Sequence, residues 1–308
     1  VSPESAGAPV IDVTGLTKIF GHKTVVDHID MRVRQGEIYG FLGPNGSGKT
    51  TFIRMLCGLL RPDDGKGTCL GFDVREQAEL IKPHVGYMSQ KFSLYEDLSV
   101  RENLDFIARM YGIKNRSVAV DRTIERMNLG RFRGQLAGTL SGGWKQRLAL
   151  SACMIHEPKL LLLDEPTAGV DPMARRDFWD EVHKLAGEGI TALISTHYMD
   201  EAERCHRLAY IAYGHLLATG TVAEVVAAEG LTTYEVNGPE LYGLIDVLRG
   251  LPGVEQVVAF GVSLHVSGRD AAALSQSLAP YTAAPLSLRQ IPPNLEEVFI
   301  SLMRKAVS

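Results

Sequence analysis

The chain has 308 residues, 45% of them apolar, and a net charge of −4 with no basic run. That length admits one large domain or two around a sizeable core, and that charge gives no support to nucleic-acid binding. No uncharged apolar stretch reaches the roughly 18 residues of a membrane span.

In chain order, Val1–Pro9 lacks a signal-peptide design and reads as a flexible tail. The four cysteines, Cys57, Cys69, Cys153 and Cys205, include no C-x-x-C pair. They read as buried free thiols of a reducing cytoplasm, not as a zinc or redox motif. His28–Arg34 alternates apolar and polar residues, as a half-buried strand does, and Gln35-Gly36 turns the chain. Glu37–Leu42 reads as a buried strand and Thr51–Cys57 as a helix. Between them lies Gly43-Pro44-Asn45-Gly46-Ser47-Gly48-Lys49-Thr50, which fits the phosphate-binding pattern G-x-x-x-x-G-K-[ST]. Glycines let successive N–H groups turn toward phosphate oxygens, and the helix start adds partial positive charge. Lys49 can reach the β- and γ-phosphates, and the Thr50 hydroxyl can ligate Mg²⁺.

From Ser99 to Arg147 the pattern is helical, with Ser99 as N-cap and Glu102 three residues on. Leu160–Leu163 is an apolar run suited to a strand covered on both faces. It ends in Asp164-Glu165, a Walker B pattern: Asp164 suits the metal shell, and Glu165 suits the general base that orients water. Thr191–Ser195 reads as another buried strand, with His197 just after it. Strands alternating with helices predict a parallel α/β sheet, whose ligands bind beyond the carboxyl ends of the strands. The phosphate loop, Asp164-Glu165 and His197 all follow strands, so they can converge.

After a helix that stops at Gly230 the order becomes βαββαβ: strands Thr232–Val236, Val254–Phe260, Ser263–Val266 and Leu286–Gln290, helices Glu240–Arg249 and Ala271–Leu278. That is the ferredoxin-like arrangement. A last helix starts at Asn294, with Glu297 at N3. The expected division is a tail (1–9), a nucleotide-binding domain (10–230, helical subdomain about 91–150) and a small C-terminal domain (231–308).

Leu140-Ser141-Gly142-Gly143-Trp144-Lys145-Gln146-Arg147 opens a further helix. A plain N-cap on Ser141 accounts for the hydroxyl, but not for two adjacent glycines and Lys-Gln-Arg. With these residues the chain resembles the nucleotide-binding subunits of ATP-binding-cassette (ABC) transporters, whose signature motif this segment looks like. The resemblance covers roughly Val10 to Gly230. It implies a P-loop core with antiparallel β and helical subdomains. It also implies that Phe20 stacks on adenine, that Gln90 contacts Mg²⁺ beside Thr50 and Asp164, and that Thr51 belongs with the phosphate-loop residues. Ser141, Gly142, Gly143 and Asp171 would meet the nucleotide of an opposite subunit, and His197 the γ-phosphate. Two positions depart from the family pattern: Phe20, where tyrosine is common, and Trp144, where glutamine is usual. Trp144 is expected to tune packing.

The resemblance therefore implies an ATPase that dimerises on ATP, as a homodimer or with a paired cassette. It would energise efflux of a drug-like or hydrophobic substrate through a separate membrane permease. Its place would be peripheral, on the cytoplasmic face of the bacterial inner membrane, with ATP and Mg²⁺ as cofactors. Ser89–Leu104 and Asn294–Phe299 are similar to multidrug-resistance export ATPases, and Phe92, Leu94 and Tyr95 are candidates for a groove that takes a membrane-subunit helix. Core packing in the helical subdomain is the other reading of those three. The alternative functions are a ribosome-associated ATPase and one cassette of a longer two-cassette protein.

Overall fold

The computed structural model describes residues 9–307, so the tail expected over Val1–Pro9 lies outside the described residues except for Pro9. The chain divides into two compact units, 1–216 and 217–308.

In the first unit β1 (Pro9–Phe20) and β2 (Lys23–Arg34) pair antiparallel. The alternation read over His28–Arg34 holds: Ile29, Met31 and Val33 are buried, and the residues between them are exposed. Next come β3 (Ile38–Leu42), α1 (Lys49–Leu56), β4 (Asp64–Cys69), β5 (Phe72–Asp73), α2 (Ala78–Ile81) and β6 (Val85–Met88). One antiparallel sheet has the order β2-β1-β4-β5.

The helical stretch is α3 (Val100–Met110), α4 (Arg116–Arg126) and α5 (Gly142–Met154). Ser99 and Glu102 form the expected reciprocal capping box. The structure corrects the reading of one helical pattern as far as Arg147. Between α4 and α5 the chain makes only short 3₁₀ turns, punctuated by Gly130, Gly134 and Gly138. There the backbone amides of Val100 and Arg101 donate to Gln135 O and Arg133 O, which commits this segment to the start of α3.

The unit continues with β7 (Leu160–Asp164), α6 (Pro172–Gly187), β8 (Thr191–Thr196), α7 (Met199–Ala202) and β9 (Arg207–Ala212), and β10 (His215–Gly220) spans the division at residue 216. The second sheet runs β10-β9-β3-β8-β7-β6, and the pairs from β9 through β6 are parallel. Strand β7 explains its four leucines. Leu161 and Leu163 enter a core shared with α5 and α6, and Leu160 and Leu162 enter the opposite core with Phe41 and Phe52. Each fully buried leucine contributes about 1.5–3 kcal/mol. Parallel register sets Asp164 beside Ser195 and Leu42 beside Thr196, so several strands end level with one another.

In the second unit α8 (Val222–Glu229) ends at Gly230, whose φ of 64° is left-handed. It is followed by β11 (Thr232–Asn237), α9 (Ile245–Arg249), β12 (Gln256–Phe260), β13 (Ser263–Gly268), α10 (Ala271–Leu278), β14 (Ser287–Ile291) and α11 (Leu295–Val307). The sheet order β12-β13-β11-β14, antiparallel throughout, is the ferredoxin-like one. The helix expected over Glu240–Arg249 is a 3₁₀ turn, Leu241–Leu244, running into α9. Asn294 and Glu297 cap α11 reciprocally, and the fully buried Glu297 also pairs with His265 Nδ1 at 2.5 Å.

Candidate functional site

The level ends of β3, β6, β7 and β8 carry the phosphate loop, Gln90, Asp164-Glu165 and His197. The loop is built for close approach: a Cβ on Gly48, at φ 108°, would lie 2.5 Å from Val25 O. No acidic residue stands in the first turn of α1, and Gly48 leaves its N-terminus without a side-chain cap. The Ser47 hydroxyl is buried with no hydrogen-bond partner. A bare N-terminus with an orphaned buried donor suits an anion.

Lys49 is 4% exposed and donates from Nζ to Gly43 O (2.7 Å) and Pro44 O (3.1 Å). Its Nζ is 3.3 Å from Glu165 Oε1. Burial pushes the ammonium below its ordinary pKa, and the Glu165 charge opposes that shift. On the other oxygen of Glu165, Gln90 Nε2 donates at 3.0 Å, and His197 Nδ1 stands 3.3 Å away without hydrogen-bond geometry. One buried carboxylate thus gathers three residues taken from three separate segments.

Glu165 holds a positive φ of 47°. Its amide donates to Ser195 O (3.1 Å) and to Ser195 Oγ (2.9 Å), and Ser195 Oγ donates to Asp164 Oδ1 at 2.7 Å. Sequence reasoning assigned Ser195 only to a strand. The one signal for it was the polar ending of an otherwise apolar run.

The other expected residues lie in two further places. Ser141 is the N-cap of α5, yet its hydroxyl makes no capping bond, unlike Ser99. Gly143 packs against α6: a Cβ there would lie 2.4 Å from Ala174 Cβ. Asp171 caps α6 by accepting from Met173 N and Ala174 N. Ser141, Gly143 and Asp171 line one cavity together with Trp144. Trp144 packs on Phe132, with ring centroids 4.5 Å apart, between the guanidiniums of Arg131 and Arg147. Among the described residues no hydrogen bond or ion pair joins Ser141, Gly142, Gly143 or Asp171 to Lys49 or Glu165. Phe20 is half exposed, with the Lys18 ammonium 5.5 Å from its ring centre. No group of three or more His, Cys, Asp or Glu is arranged to hold a metal among the described residues.

The ABC transporter family profile matches residues 26–168, which include the phosphate loop, the Ser141–Gly143 segment and Asp164-Glu165. The chain is 37% identical over 296 residues to a "Nod factor export ATP-binding protein I" of Rhizobium sp. (strain N33), covering 95% of this chain and 96% of that protein. The chain belongs to the ABC transporter ATP-binding family. It is 44% identical over 223 residues to a "probable multidrug ABC transporter ATP-binding protein YbhF" of Escherichia coli (strain K12), which is 72% of this chain but 39% of that protein's length. Among solved structures, cbiO1 from Clostridium perfringens, described as part of an ABC transporter complex, superposes with a TM-score of 0.66 at 27% identity. That match covers 72% of this chain and 92% of cbiO1. No helix among the described residues of this ABC cassette is long and apolar enough to cross a membrane.

Proposed function

We propose that this chain is the ATP-binding and hydrolysing subunit of an exporter. The observation that carries the reading is the convergence of Lys49, Gln90 and His197 on Glu165 beside a bare phosphate loop. Lys49 meets the β- and γ-phosphates, Glu165 takes the proton of the attacking water, and His197 meets the γ-phosphate. Thr50, Gln90 and Asp164 would hold Mg²⁺, which neutralises charge on the phosphate oxygens. Gln90 already donates from its amide nitrogen to Glu165, which leaves its oxygen for that role. Phe20, half exposed, stacks on adenine.

Charge on the γ-phosphate needs donors on every face, and one phosphate loop covers only part of it. The uncapped Ser141 and the start of α5 supply the remaining face to the nucleotide of a second copy, with Asp171 beside them. ATP therefore joins two cassettes, and hydrolysis releases them. A membrane-spanning permease binds beside the Gln90 loop, near Phe92, Leu94 and Tyr95, and places the cassette on the cytoplasmic face of the membrane. The relatives are named for multidrug transport and for Nod factor export, and the substrate we propose here is hydrophobic and drug-like. We read residues 10–230 as the nucleotide-binding domain and 231–308 as an accessory one, whereas the division into compact units falls after residue 216 and groups α8 with the second.

Glu165→Gln tests the chemistry. Loss of the base should lower ATP turnover about 10²-fold or more while nucleotide still binds. Wild-type turnover in that variant would remove Glu165 from the reaction.

A further inference from the structure

A further buried carboxylate bonds to the segments that carry Glu165 and His197. Glu201, on α7, is fully buried, and so are Thr167 and Thr196. Its Oε1 accepts from Thr167 Oγ1, and its Oε2 accepts from Thr196 Oγ1 at 2.7 Å. Thr196 Oγ1 also accepts from the Tyr198 amide at 3.0 Å. The chain of donors therefore runs from Tyr198 N through Thr196 to Glu201, and it brackets His197 on both sides. On the other oxygen, Thr167 lies two residues beyond Glu165. Arg175 Nε stands 3.5 Å from Glu201 Oε1, and the same guanidinium lies 4.2 Å from the centre of the Tyr198 ring. The Tyr198 ring is in turn 4.1 Å from that of His197.

A fully buried carboxylate is costly unless it is paired and hydrogen-bonded. Here the pairing is divided between two loops: one oxygen serves the loop after Glu165, and the other serves the loop that carries His197. An ordinary packing residue has no need of this division. A hydrophobic side chain of similar volume would fill the space without fixing either hydroxyl.

We propose that Glu201 is a positioning residue for hydrolysis, setting the separation of Glu165 and His197 by gripping Thr167 and Thr196. The proposal rests on the reading that Glu165 and His197 act on ATP. Among the described residues no hydrogen bond or ion pair joins Glu201 to either side chain, so it acts through the two threonines. Each threonine must donate its hydroxyl proton to the carboxylate, because an ionised carboxylate only accepts. Glutamine at 201 presents an N–H₂ group to one of them, whose hydroxyl can accept it, so a charge-assisted bond becomes a weaker neutral one of reversed direction. Valine at 167 or 196 loses one grip each and keeps the volume.

The test is steady-state ATP hydrolysis by the purified 308-residue chain, with kcat and KM separated and thermal unfolding measured alongside. T196V and T167V should each lower kcat at least fivefold, with KM for ATP within twofold, when assayed well below the Tm of each variant, which loss of a bond to a buried carboxylate lowers. T196S, which restores the hydroxyl, should return kcat to within twofold of wild type. E201Q, which weakens one bond and removes neither, should lose less than either valine variant. Wild-type kcat in both valine variants would overturn the proposal. So would a loss that follows the unfolded fraction alone, or one that T196S does not rescue. Glu165→Gln keeps the two readings apart. If it hydrolyses like wild type, the reading of the site itself fails. If it is inactive while the valine variants and E201Q are normal, only the role of Glu201 fails.

Discussion

At Glu165 the backbone sits where residues with a Cβ rarely sit, at φ 47°, a conformation that costs on the order of 1–3 kcal/mol. Such strain persists only where the surroundings impose it, and here Ser195 does so with its carbonyl and its hydroxyl. The result aims the carboxylate at Lys49, Gln90 and His197. Lys49 and Asp164-Glu165 were legible because their motifs are local and each spacing has a chemical reason. Gln90 and His197 were legible only through the family resemblance, since a single polar residue after a strand is usually structural. Ser195 and Glu201 were not legible. Their roles arise from hydrogen bonds between neighbouring strands and loops, and Ser195 is 31 residues from Asp164 in sequence. Lys49→Ala should weaken ATP binding at least tenfold, because a charge-assisted contact is worth about 1.5–3 kcal/mol. Titration calorimetry reads this directly, and unchanged affinity would place Lys49 outside the site.

Strand β7 and the capped helix α3 were readable as elements because burial on two faces and a capping box each leave a local pattern. The break between α4 and α5 was not, since its backbone is satisfied by the distant start of α3. Gly143 shows how a motif residue can serve packing too. A Cβ there meets Ala174 at 2.4 Å, so α5 and α6 must separate. Gly143→Ala should cost about 1–3 kcal/mol by overpacking, and Ala174→Gly in the same chain should restore most of it. Chemical denaturation of the single and double variants measures this, and additive losses would refute the contact.

In the second unit Glu229, the last residue of α8, takes hydrogen bonds from Arg269 and Ser301 and pairs with Lys305. Burial pushes its carboxyl up, but Lys305, Ser301 and Arg269 together outweigh burial and hold it below the ordinary 4.5. A lowered folded pKa means stability that is full above the unfolded value and lost as pH falls through the folded one. The Tm gap between wild type and Glu229→Gln should therefore be widest near neutrality and should close as pH falls below 4.5. A gap that stays constant with pH would deny Glu229 that role.

For the whole molecule, the proposed function needs residues from two chains. The phosphate loop and Glu165 form one locus, Ser141, Gly143 and Asp171 form another, and no bond among the described residues joins them. On the proposed reading the first locus needs further donors to a γ-phosphate, and the second has a hydroxyl at a helix start that makes no capping bond. In the proposed dimer a second cassette, turned head to tail, satisfies both. The α/β layering and the ferredoxin-like second unit were legible from the order of the elements. Head-to-tail pairing has no mark in a single sequence beyond the family resemblance. A tagged chain drawn from detergent-solubilised membranes should bring down a multi-spanning protein in stoichiometric amount. Recovery of ribosomes instead would move the same ATPase to a non-transport role.

The most direct test of the central claim is the solution mass of Glu165→Gln by light scattering, with and without Mg²⁺ and ATP. The mass should double only when ATP is present, and Ser141→Arg added to the same chain should return it to that of one copy. A Glu165→Gln chain that binds ATP yet keeps the mass of one copy at every concentration would contradict the account.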